Sequence, residues 1–239
     1  MPTLIEIGRV AELHRYPVKS MRGQTVNSID VGWTGFDGDR QYAFFKPQDK
    51  SRFPWLTGRD YAEMLLFTAH YVDERDTRTS RVSVTAPDGM VHDVASETLL
   101  AMLQTAYEDE VSLLQLGRGA FDLMPVSIIG QGTIDAVGAQ SGRDVGCVRF
   151  RPNIVIDTGI EREWLDGCLI FGDAASGVRL RANKPIGRCS MITIDPATGT
   201  REPEVMRTVV ERFQNEIGIY CVPERLGALS VGDKVWLER

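Results

Sequence analysis

The chain has 239 residues, a net charge of −6, 43% hydrophobic residues and 8% aromatic residues. This composition is that of an ordinary globular protein and argues against a disordered, collagen-like or disulfide-scaffold protein. The acidic balance lacks the basic footprint of non-specific nucleic-acid binding, so nucleic acid is not an expected partner. Folding buries about 70% of the surface of a chain of this size, enough for one large domain or two small ones.

No membrane partner is expected from the sequence. No apolar run approaches the roughly 20 residues of a membrane-spanning helix, and Glu6 and Arg9 interrupt the first ten residues, unlike a signal peptide. We therefore expect a cytoplasmic protein. The four cysteines have no C-x-x-C spacing and the three histidines lie far from them along the chain, so neither disulfides nor zinc ligation is expected.

The first 95 or so residues predict mainly short strands separated by turns. The turn Pro87-Asp88-Gly89 between two β-prone runs predicts a hairpin. Ser96 is a good N-cap, and Leu99 and Leu103 fall on one face of the helix predicted after it. Alternation along the first strand places His14 toward solvent. The predicted strands are 5–16, 25–31, 41–45, 64–72 and 81–85.

The second half is also predicted to be rich in strands. The segment 117–119, Gly-Arg-Gly, reads as a linker and divides the chain into domains 1–116 and 117–239. One clear helix is predicted over 203–217, with Gly218 as its C-terminal cap. Many short strands with few helices indicate a mainly β (α+β) fold, a barrel or a sandwich. The predicted strands are 126–129, 149–157, 178–182, 191–194, 219–222 and 234–237.

Cys189 is the first candidate for chemistry. It follows Arg188 directly and lies near Lys184, and cations beside a thiol favour the thiolate. The thiolate attacks electrophiles and ligates soft metals, and Gly187 would let the backbone come close to a ligand. A cysteine beside an arginine is also typical of a buried structural thiol, so this motif alone leaves both interpretations open.

A basic strand is the second candidate. Alternation in the segment 149–157 places Arg149, Arg151 and Asn153 on one side of a strand. Guanidinium groups beside a planar amide suit an anionic ligand that forms several hydrogen bonds. Solvated surface side chains would give the same pattern.

Lys19 and Ser20 at the end of the first strand are the third candidate, because a point charge and a hydroxyl donor can together hold a phosphate. Gly38-Asp39-Arg40 is the fourth. On its own, this segment is equally well explained as a turn with a local ion pair.

Five segments in this order resemble the MOSC family (molybdenum cofactor sulfurase C-terminal domain). They are Tyr-Pro-Val-Lys-Ser (16–20), Gly-Phe-Asp-Gly-Asp-Arg (35–40), Arg-Phe-Arg-Pro-Asn-Ile-Val (149–155), Lys-Pro-x-x-Arg-Cys (184–189) and Asp-Pro-x-Thr-Gly (195–199). The first two are similar to that family's N-terminal β-barrel domain and the other three to the MOSC domain. The resemblance covers nearly the whole chain.

This resemblance implies a β-barrel MOSC domain with peripheral helices and an N-terminal β-barrel-like domain, with a pyranopterin molybdenum cofactor between them. By position, Cys189 matches the cysteine whose sulfur ligates the metal, and it is the implied catalytic residue. The family also carries a weaker association with pyridoxal phosphate binding. The positions matching cofactor contacts are Lys19, Ser20, Arg40, Thr57, Arg59, Arg151, Asn153 and Arg188.

Relatives similar to the mitochondrial amidoxime-reducing component imply an oxidoreductase acting on N-hydroxylated or N-oxide-type small molecules. The cysteine motif of a plant-type ferredoxin is absent, so two electrons would come from a separate donor protein of the ferredoxin or flavin type. Two alternatives remain open. Cys189 could carry a persulfide and transfer sulfur, or the protein could be a non-catalytic carrier of the cofactor.

The sequence also departs from the family pattern. Ile186 stands where many relatives have a second cysteine, which argues against a dithiol, and Gly187 replaces a small polar residue. Leu123 and Met124 offer no hydroxyl where reductase relatives can provide one. These departures predict fewer polar contacts to the cofactor.

Overall fold

The computed structural model describes residues 3–239, and most of its elements are strands. The strands, in chain order, are β1 (Leu4–Arg15), β2 (Gln24–Val26), β3 (Ser28–Gly32), β4 (Gly35–Phe36), β5 (Tyr42–Phe45), β6 (Thr68–Tyr71), β7 (Val82–Thr85), β8 (Val91–Asp93), β9 (Ser112–Gln115), β10 (Val126–Gly130), β11 (Ile154–Ile156), β12 (Cys168–Phe171), β13 (Val178–Gly187), β14 (Glu216–Arg225), β15 (Gly227–Ser230) and β16 (Lys234–Glu238). The α-helices are α1 (Glu97–Tyr107), α2 (Gln131–Ser141) and α3 (Pro203–Phe213). Short 3₁₀ turns cover Ala62–Leu66, Cys147–Arg149, Glu161–Trp164 and Ser190–Thr193.

Seven strands form a closed barrel. Their order is β11-β10-β14-β13-β12-β16-β1, and β1 pairs again with β11, while β2 extends the sheet beside β1. Neighbours are antiparallel except β10 and β11, which run parallel. Side chains such as Leu13, Ile128 and Leu180 are fully buried in its core. The predicted mainly β fold with a barrel is confirmed.

A second apolar core lies outside the barrel, among β5–β9 and α1. Phe44 and Met64 are fully buried in it. The predicted helix is confirmed as α1: the Ser96 side chain accepts a hydrogen bond from the Leu99 backbone N–H at 3.2 Å, and Leu99 and Leu103 face this core. The predicted hairpin is confirmed as β7 and β8.

Strand β1 belongs to the first half of the sequence but completes the barrel of the second half, through its pairing with β11 and β16. The two halves therefore share a sheet across the predicted boundary at 116/117. The division into 1–116 and 117–239 stays a prediction.

One predicted strand of the second half, 191–194, is wrong, and another, 149–157, is correct only in part. The segment 149–157 contains the end of a 3₁₀ turn and then only β11, because Arg151 has φ of 55° and Pro152 cannot donate a backbone hydrogen bond. Arg149, Arg151 and Asn153 therefore do not alternate along one strand. The segment 191–194 lies in and just after the 3₁₀ turn Ser190–Thr193.

The helix boundaries also differ from the prediction. Helix α3 ends at Phe213 because Gln214 and Asn215 take left-handed backbone conformations, with φ of 56° and 63°. Gly218 is then a residue of β14 and not the cap. Helix α2 was not predicted, because it contains Gly132 and Gly138, and glycine lowers helix propensity. In the first half, 25–31 divides into β2 and β3, and 64–72 divides into a 3₁₀ turn and β6.

His14 is buried, with 4% of its surface exposed, so its predicted orientation toward solvent is wrong. The fold brings it next to Cys147, with His14 Nε2 3.5 Å from Cys147 Sγ although 133 residues separate them. The premise that the histidines lie far from the cysteines therefore fails in three dimensions. Among residues 3–239, no helix is long and apolar enough to cross a membrane.

Candidate active site

A cavity of about 700 Å³ is lined by residues from both halves of the chain. Its volume lies in the range typical of sites for small molecules and cofactors. All nine residues predicted from the sequence line it: Lys19, Ser20, Arg40, Thr57, Arg59, Arg151, Asn153, Arg188 and Cys189.

The cavity is locally basic. Seven lysines and arginines line it against three aspartates, although the whole chain carries a charge of −6. A concave site lined by one sign of charge concentrates ligands of the opposite sign. The cavity therefore suits an anionic small molecule.

Cys189 presents its thiol to this cavity. It is exposed, whereas the other three cysteines are buried. The chain leaves β13 at Gly187, passes through Cys189 in an extended conformation, and enters the 3₁₀ turn that follows. A Cβ added to Gly187 would meet nothing within 4 Å, so the space beside the Gly187 backbone is open. Lys184 is not among the residues that line the cavity, which leaves Arg188 as the neighbouring cation.

The Arg188 guanidinium is held by backbone carbonyls. Nε donates to the Ile217 carbonyl at 2.7 Å and Nη1 to the Phe150 carbonyl at 2.9 Å. Burial lowers the pKa of Arg188. A Cβ at Gly218, where φ is 79°, would lie 2.9 Å from Arg188 Nη2, so glycine at this position allows the close approach. In the described part of the chain, no carboxylate lies within ion-pair distance of Arg188.

Arg151 is held in a similar way. Its Nη1 donates to the Met21 carbonyl at 2.6 Å, and its Cζ lies 4.3 Å from the centre of the Tyr16 ring. Its Nη2 is buried and has no hydrogen-bond partner within residues 3–239. Burial lowers the pKa of Arg151 to about 10, so it stays protonated at neutral pH. A buried cationic N–H without a partner is a donor available to an anionic ligand.

Arg40, in contrast, is neutralised by a buried carboxylate. Its guanidinium pairs with Asp39, whose side chain is fully buried. It also donates to the Arg151 carbonyl at 3.1 Å and lies over the Tyr16 ring at 4.7 Å. Asp39 in turn accepts a hydrogen bond from the Tyr16 backbone N–H at 2.8 Å. Arg40 thereby fixes the chain around Tyr16.

Asn153 has no hydrogen-bonding capacity left for a ligand. Its Oδ1 accepts from the Ser127 backbone N–H and hydroxyl at 3.1 and 3.0 Å. Its Nδ2 donates to the His14 carbonyl and to Asp39, at 3.3 and 3.0 Å. Both lone pairs and both hydrogens are thus engaged. In this structure Asn153 positions its neighbours.

Lys19 is likewise engaged with protein groups. Its ammonium donates to the Ala120 carbonyl at 2.7 Å and pairs with Asp122. Burial lowers the pKa of Lys19. The predicted Lys19–Ser20 pair lines the cavity, but its charge is already matched by a carboxylate.

Thr57 and Arg59 line the cavity from the segment that follows β5. Thr57 Oγ1 donates to Asp60 at 2.9 Å and accepts from Arg59 Nε at 3.4 Å. The Arg59 guanidinium lies 5.0 Å from the centre of the Phe53 ring, and so does the Lys19 ammonium. Phe53 therefore links the two cations through cation–π contacts.

Three cavity residues adopt a backbone conformation that is unfavourable for residues other than glycine. Ser20, Arg40 and Arg151 have φ of 65°, 52° and 55°. Each such conformation costs on the order of 1 kcal/mol or more, and strain of this kind clusters at functional sites. These positions point to a site whose side-chain directions are set by the surrounding fold.

Sequence reasoning missed several lining residues. Asp122 pairs with Lys19 across 103 residues of sequence, and no local signal indicates that contact. Phe53 and Tyr220 belong to no motif, although an aromatic residue preceding the Thr57–Arg59 segment was a signal that could have been used. Arg149, in contrast, was a candidate from the sequence; it lines the cavity and donates to Glu202 at 2.7 Å.

The residues that depart from the family pattern lie partly in the cavity. Ile186, Gly187 and Met124 line it. Leu123 is 56% exposed and is not a lining residue. Two of the apolar side chains that line the cavity, Ile186 and Met124, therefore stand at positions where the family pattern has a cysteine or a possible hydroxyl.

Two family models match consecutive parts of the chain. The model described as the MOSC N-terminal beta barrel domain matches residues 7–120, and the MOSC domain model matches residues 119–236. Together they account for nearly all of the sequence.

Curated proteins with similar sequences include mitochondrial amidoxime-reducing components and molybdenum cofactor sulfurases. Mitochondrial amidoxime reducing component 2 of Bos taurus is 23% identical, with 98% of this chain and 84% of that protein covered. Mitochondrial amidoxime-reducing component 1 of Homo sapiens is 30% identical over 48% of this chain and 37% of that protein. The molybdenum cofactor sulfurase of Drosophila grimshawi is 33% identical over 39% of this chain, but the match spans only 12% of the sulfurase.

The YUAD protein of Bacillus subtilis has a similar fold in its crystal structure. The TM-score is 0.53 at 14% sequence identity, with 100% of this chain and 98% of that chain covered. The two family models and these similarities lead to one conclusion: the chain belongs to the MOSC domain family, with a MOSC N-terminal beta barrel domain preceding the MOSC domain.

Proposed function

We propose that the cavity binds a pyranopterin molybdenum cofactor, and that the protein reduces N-hydroxylated or N-oxide-type small molecules with electrons from a separate donor protein. The observation that carries the proposal is the exposed Cys189 thiol on the wall of a basic cavity. Similarity to the bovine amidoxime reducing component over 98% of the chain supports the reaction class. Binding of pyridoxal phosphate, a ferredoxin- or flavin-type donor and a cytoplasmic location stay predictions.

The residues present fit such a cofactor. It carries a phosphate and a pterin that forms several hydrogen bonds, and Arg151 Nη2 is a buried cationic donor without a partner. A thiolate is a suitable ligand for a soft or high-valent metal, and Cys189 offers its sulfur to the cavity. The cavity volume of about 700 Å³ is sufficient for a cofactor of this class.

Cys189 would ligate the metal through Sγ, with the Arg188 cation offsetting the negative charge of the thiolate. When bound, the cofactor supplies two-electron redox chemistry and accepts an oxygen atom. Arg188 also fixes the thiol, because its hydrogen bonds tie the end of β13 to the Phe150 and Ile217 carbonyls. Arg151 would hold the anionic part of the cofactor.

Conversion of an N-hydroxyl group to N–H and water consumes two electrons and two protons. Lys19 is a lining group that can hold a proton at Nζ; burial lowers its pKa, whereas the paired Asp122 carboxylate acts in the opposite direction. Ile186 and Met124 contribute apolar lining, which favours a substrate with an apolar body next to its N-hydroxyl group. These roles restrict the substrate to small molecules that fit the remaining cavity.

The proposal is tested by assaying turnover. Protein purified from a host that makes the molybdenum cofactor is supplied with an aromatic amidoxime and an excess of a chemical reductant. We expect formation of the amidine by the wild type and at least a 100-fold lower rate for Cys189→Ala, while Cys168→Ala, a change outside the cavity, retains the rate. If the wild-type protein contains molybdenum but turns over no N-hydroxy compound, the result would contradict reductase activity and favour a role as a carrier of the cofactor.

Sulfur transfer is the second candidate function, because a persulfide needs an exposed thiol and Cys189 has one. Exposure to a sulfur donor followed by mass spectrometry distinguishes the two candidates. A reducible mass increase of one sulfur on Cys189, with neither metal nor turnover, would favour sulfur transfer over reduction.

A further inference from the structure

We propose that Glu12, His14 and Cys147 form a second site, which binds one zinc ion on the outer face of the barrel. His14 Nε2 lies 3.0 Å from Glu12 Oε2 and 3.5 Å from Cys147 Sγ, and the sulfur lies 3.5 Å from the same carboxylate oxygen. The three atoms form a nearly equilateral triangle. None of the three residues lines the cavity that contains Cys189.

The fold places these side chains together on one side of β1. Leu13 points into the barrel core, and because side chains alternate along a strand, Glu12 and His14 point outward. Cys147 begins the 3₁₀ turn that precedes β11, the strand with which β1 closes the barrel. The site therefore joins two segments that are far apart in sequence.

The distances match tetrahedral zinc. With Zn–N and Zn–O bonds near 2.0–2.1 Å and Zn–S near 2.3 Å, ligand atoms of a tetrahedral site lie roughly 3.3–3.6 Å apart. The two distances to Cys147 Sγ fall in this range, and the distance between His14 and Glu12 requires a shift of a few tenths of an ångström. The mixture of sulfur, nitrogen and oxygen ligands is typical of zinc, while a thiolate disfavours magnesium and calcium.

A nucleophilic triad explains the arrangement less well. In a cysteine–histidine–acid triad the thiol and the acid bind different ring nitrogens. Here both Cys147 and Glu12 face Nε2, whereas Nδ1 lies 3.4 Å from the Thr25 hydroxyl. A hydrogen bond from Nδ1 to Thr25 leaves the Nε2 lone pair free to bind a metal.

The site is open to solvent on one side, that of Glu12. His14 and Cys147 are 4% and 8% exposed, whereas the Glu12 side chain is 42% exposed. An ion can therefore enter past Glu12, and a water molecule completes the fourth position. Binding releases the thiol proton of Cys147 to solvent, and the resulting thiolate and the Glu12 carboxylate balance the two charges of the ion.

The metal would hold two segments of the chain together. Cys147 starts the segment that carries Arg149 and Arg151, and β1 leads into Lys19, so the ion connects the two segments that supply cations to the cavity. Because the ligands come from folded segments, metal binding stabilises the native protein.

Cobalt titration tests the proposal, since a thiolate bound to tetrahedral Co²⁺ gives intense near-ultraviolet absorption. The protein, purified without the molybdenum cofactor and freed of metals with a chelator, is titrated with Co²⁺ alone and then with Zn²⁺. We expect one equivalent of Co²⁺ to produce the band and Zn²⁺ to displace it. Cys147→Ser should abolish the band, and Glu12→Gln should weaken Co²⁺ binding at least tenfold.

Two control variants separate this site from the cavity. Cys189→Ala and Cys168→Ala should bind Co²⁺ with the wild-type affinity and spectrum. The proposal is overturned if the folded wild type gives no thiolate band, if the band survives in Cys147→Ser, or if it disappears in Cys189→Ala. If Cys147→Ser fails to fold, the Co²⁺ affinity of Glu12→Gln tests the proposal instead. Glu12 is half-exposed, so its substitution should leave the core unchanged.

Discussion

Arginines at the two ends of the β13–β14 pair have different partners. At one end Arg181 pairs with Glu224, and Arg179 pairs with Glu224 at 2.8 Å and with Glu238 at 2.5 Å. At the other end Arg188 donates to two backbone carbonyls and stands beside the exposed Cys189. A cation paired with a carboxylate is neutralised and contributes to the folded structure, whereas a cation held by carbonyls keeps its net charge. The second arrangement is the one that can attract an anionic ligand.

The same distinction divides the cations of the cavity. Arg151, like Arg188, bonds to a carbonyl and keeps an unpartnered Nη2 within the described residues. Arg40 and Lys19 are paired with Asp39 and Asp122. Substituting a paired cation should therefore affect stability, and substituting an unpaired one should affect binding.

The largest expected effect is on stability, in Arg40→Gln. This change leaves the fully buried Asp39 carboxylate without its cation, so the free energy of unfolding should fall by about 3 kcal/mol. Urea denaturation measures it. The control Arg59→Gln removes an exposed cation that forms no ion pair among residues 3–239, so it should shift stability by no more than about 0.5 kcal/mol. Equal stability of the two variants would break the distinction.

Arg151→Gln should instead weaken cofactor binding. Molybdenum should be lost on dialysis at least about tenfold faster than from the wild type, since each tenfold corresponds to about 1.4 kcal/mol. Elemental analysis of samples taken during dialysis gives the rate. Arg181→Gln, at the opposite end of the β13–β14 pair, is the matched control. A rate for Arg151→Gln equal to that of this control would show that the unpartnered guanidinium holds nothing.

The smallest effect concerns acid stability. Burial alone would raise the pKa of Glu224, but hydrogen bonds from Arg179 and Arg181 lower it from 4.5 to about 2. Because the folded-state pKa is the lower one, the stabilisation is complete above pH 4.5 and is lost as the pH falls toward 2. The group is partly solvated, so the loss should be about 1 kcal/mol. Glu224→Gln should lack this component, as measured by urea denaturation from pH 5 to 2; an unchanged pH profile would contradict it.

Local signals predicted the elements that depend on local chemistry. Helix α1 was found because Ser96 caps it and its leucines share one face. The prediction of a strand over 149–157 failed before β11, because Arg151 takes a left-handed backbone conformation that the residue type does not reveal. Closure of the barrel by β1 depends on pairing with strands more than 100 residues away, which periodicity does not specify.

The sequence motifs identified residues that line the cavity, but only the folded structure shows which groups these residues contact. Lys19, Arg151 and Arg188 were chosen for their charge, yet only the structure shows which of them meets a carboxylate. The sequence therefore indicated most of the cations of the site, Lys46 excepted, but not which of them remain available to a ligand.

The most direct test of the cofactor site is the molybdenum and pterin content of protein purified from a host that makes the cofactor. Wild type, Cys189→Ala and Cys168→Ala are compared by elemental analysis and pterin fluorescence. We predict near-stoichiometric molybdenum in the wild type and in Cys168→Ala, and a sharp reduction in Cys189→Ala. Neither metal nor pterin in the wild type, or equal molybdenum in all three proteins, would contradict the assignment of Cys189 as the metal ligand of this cavity.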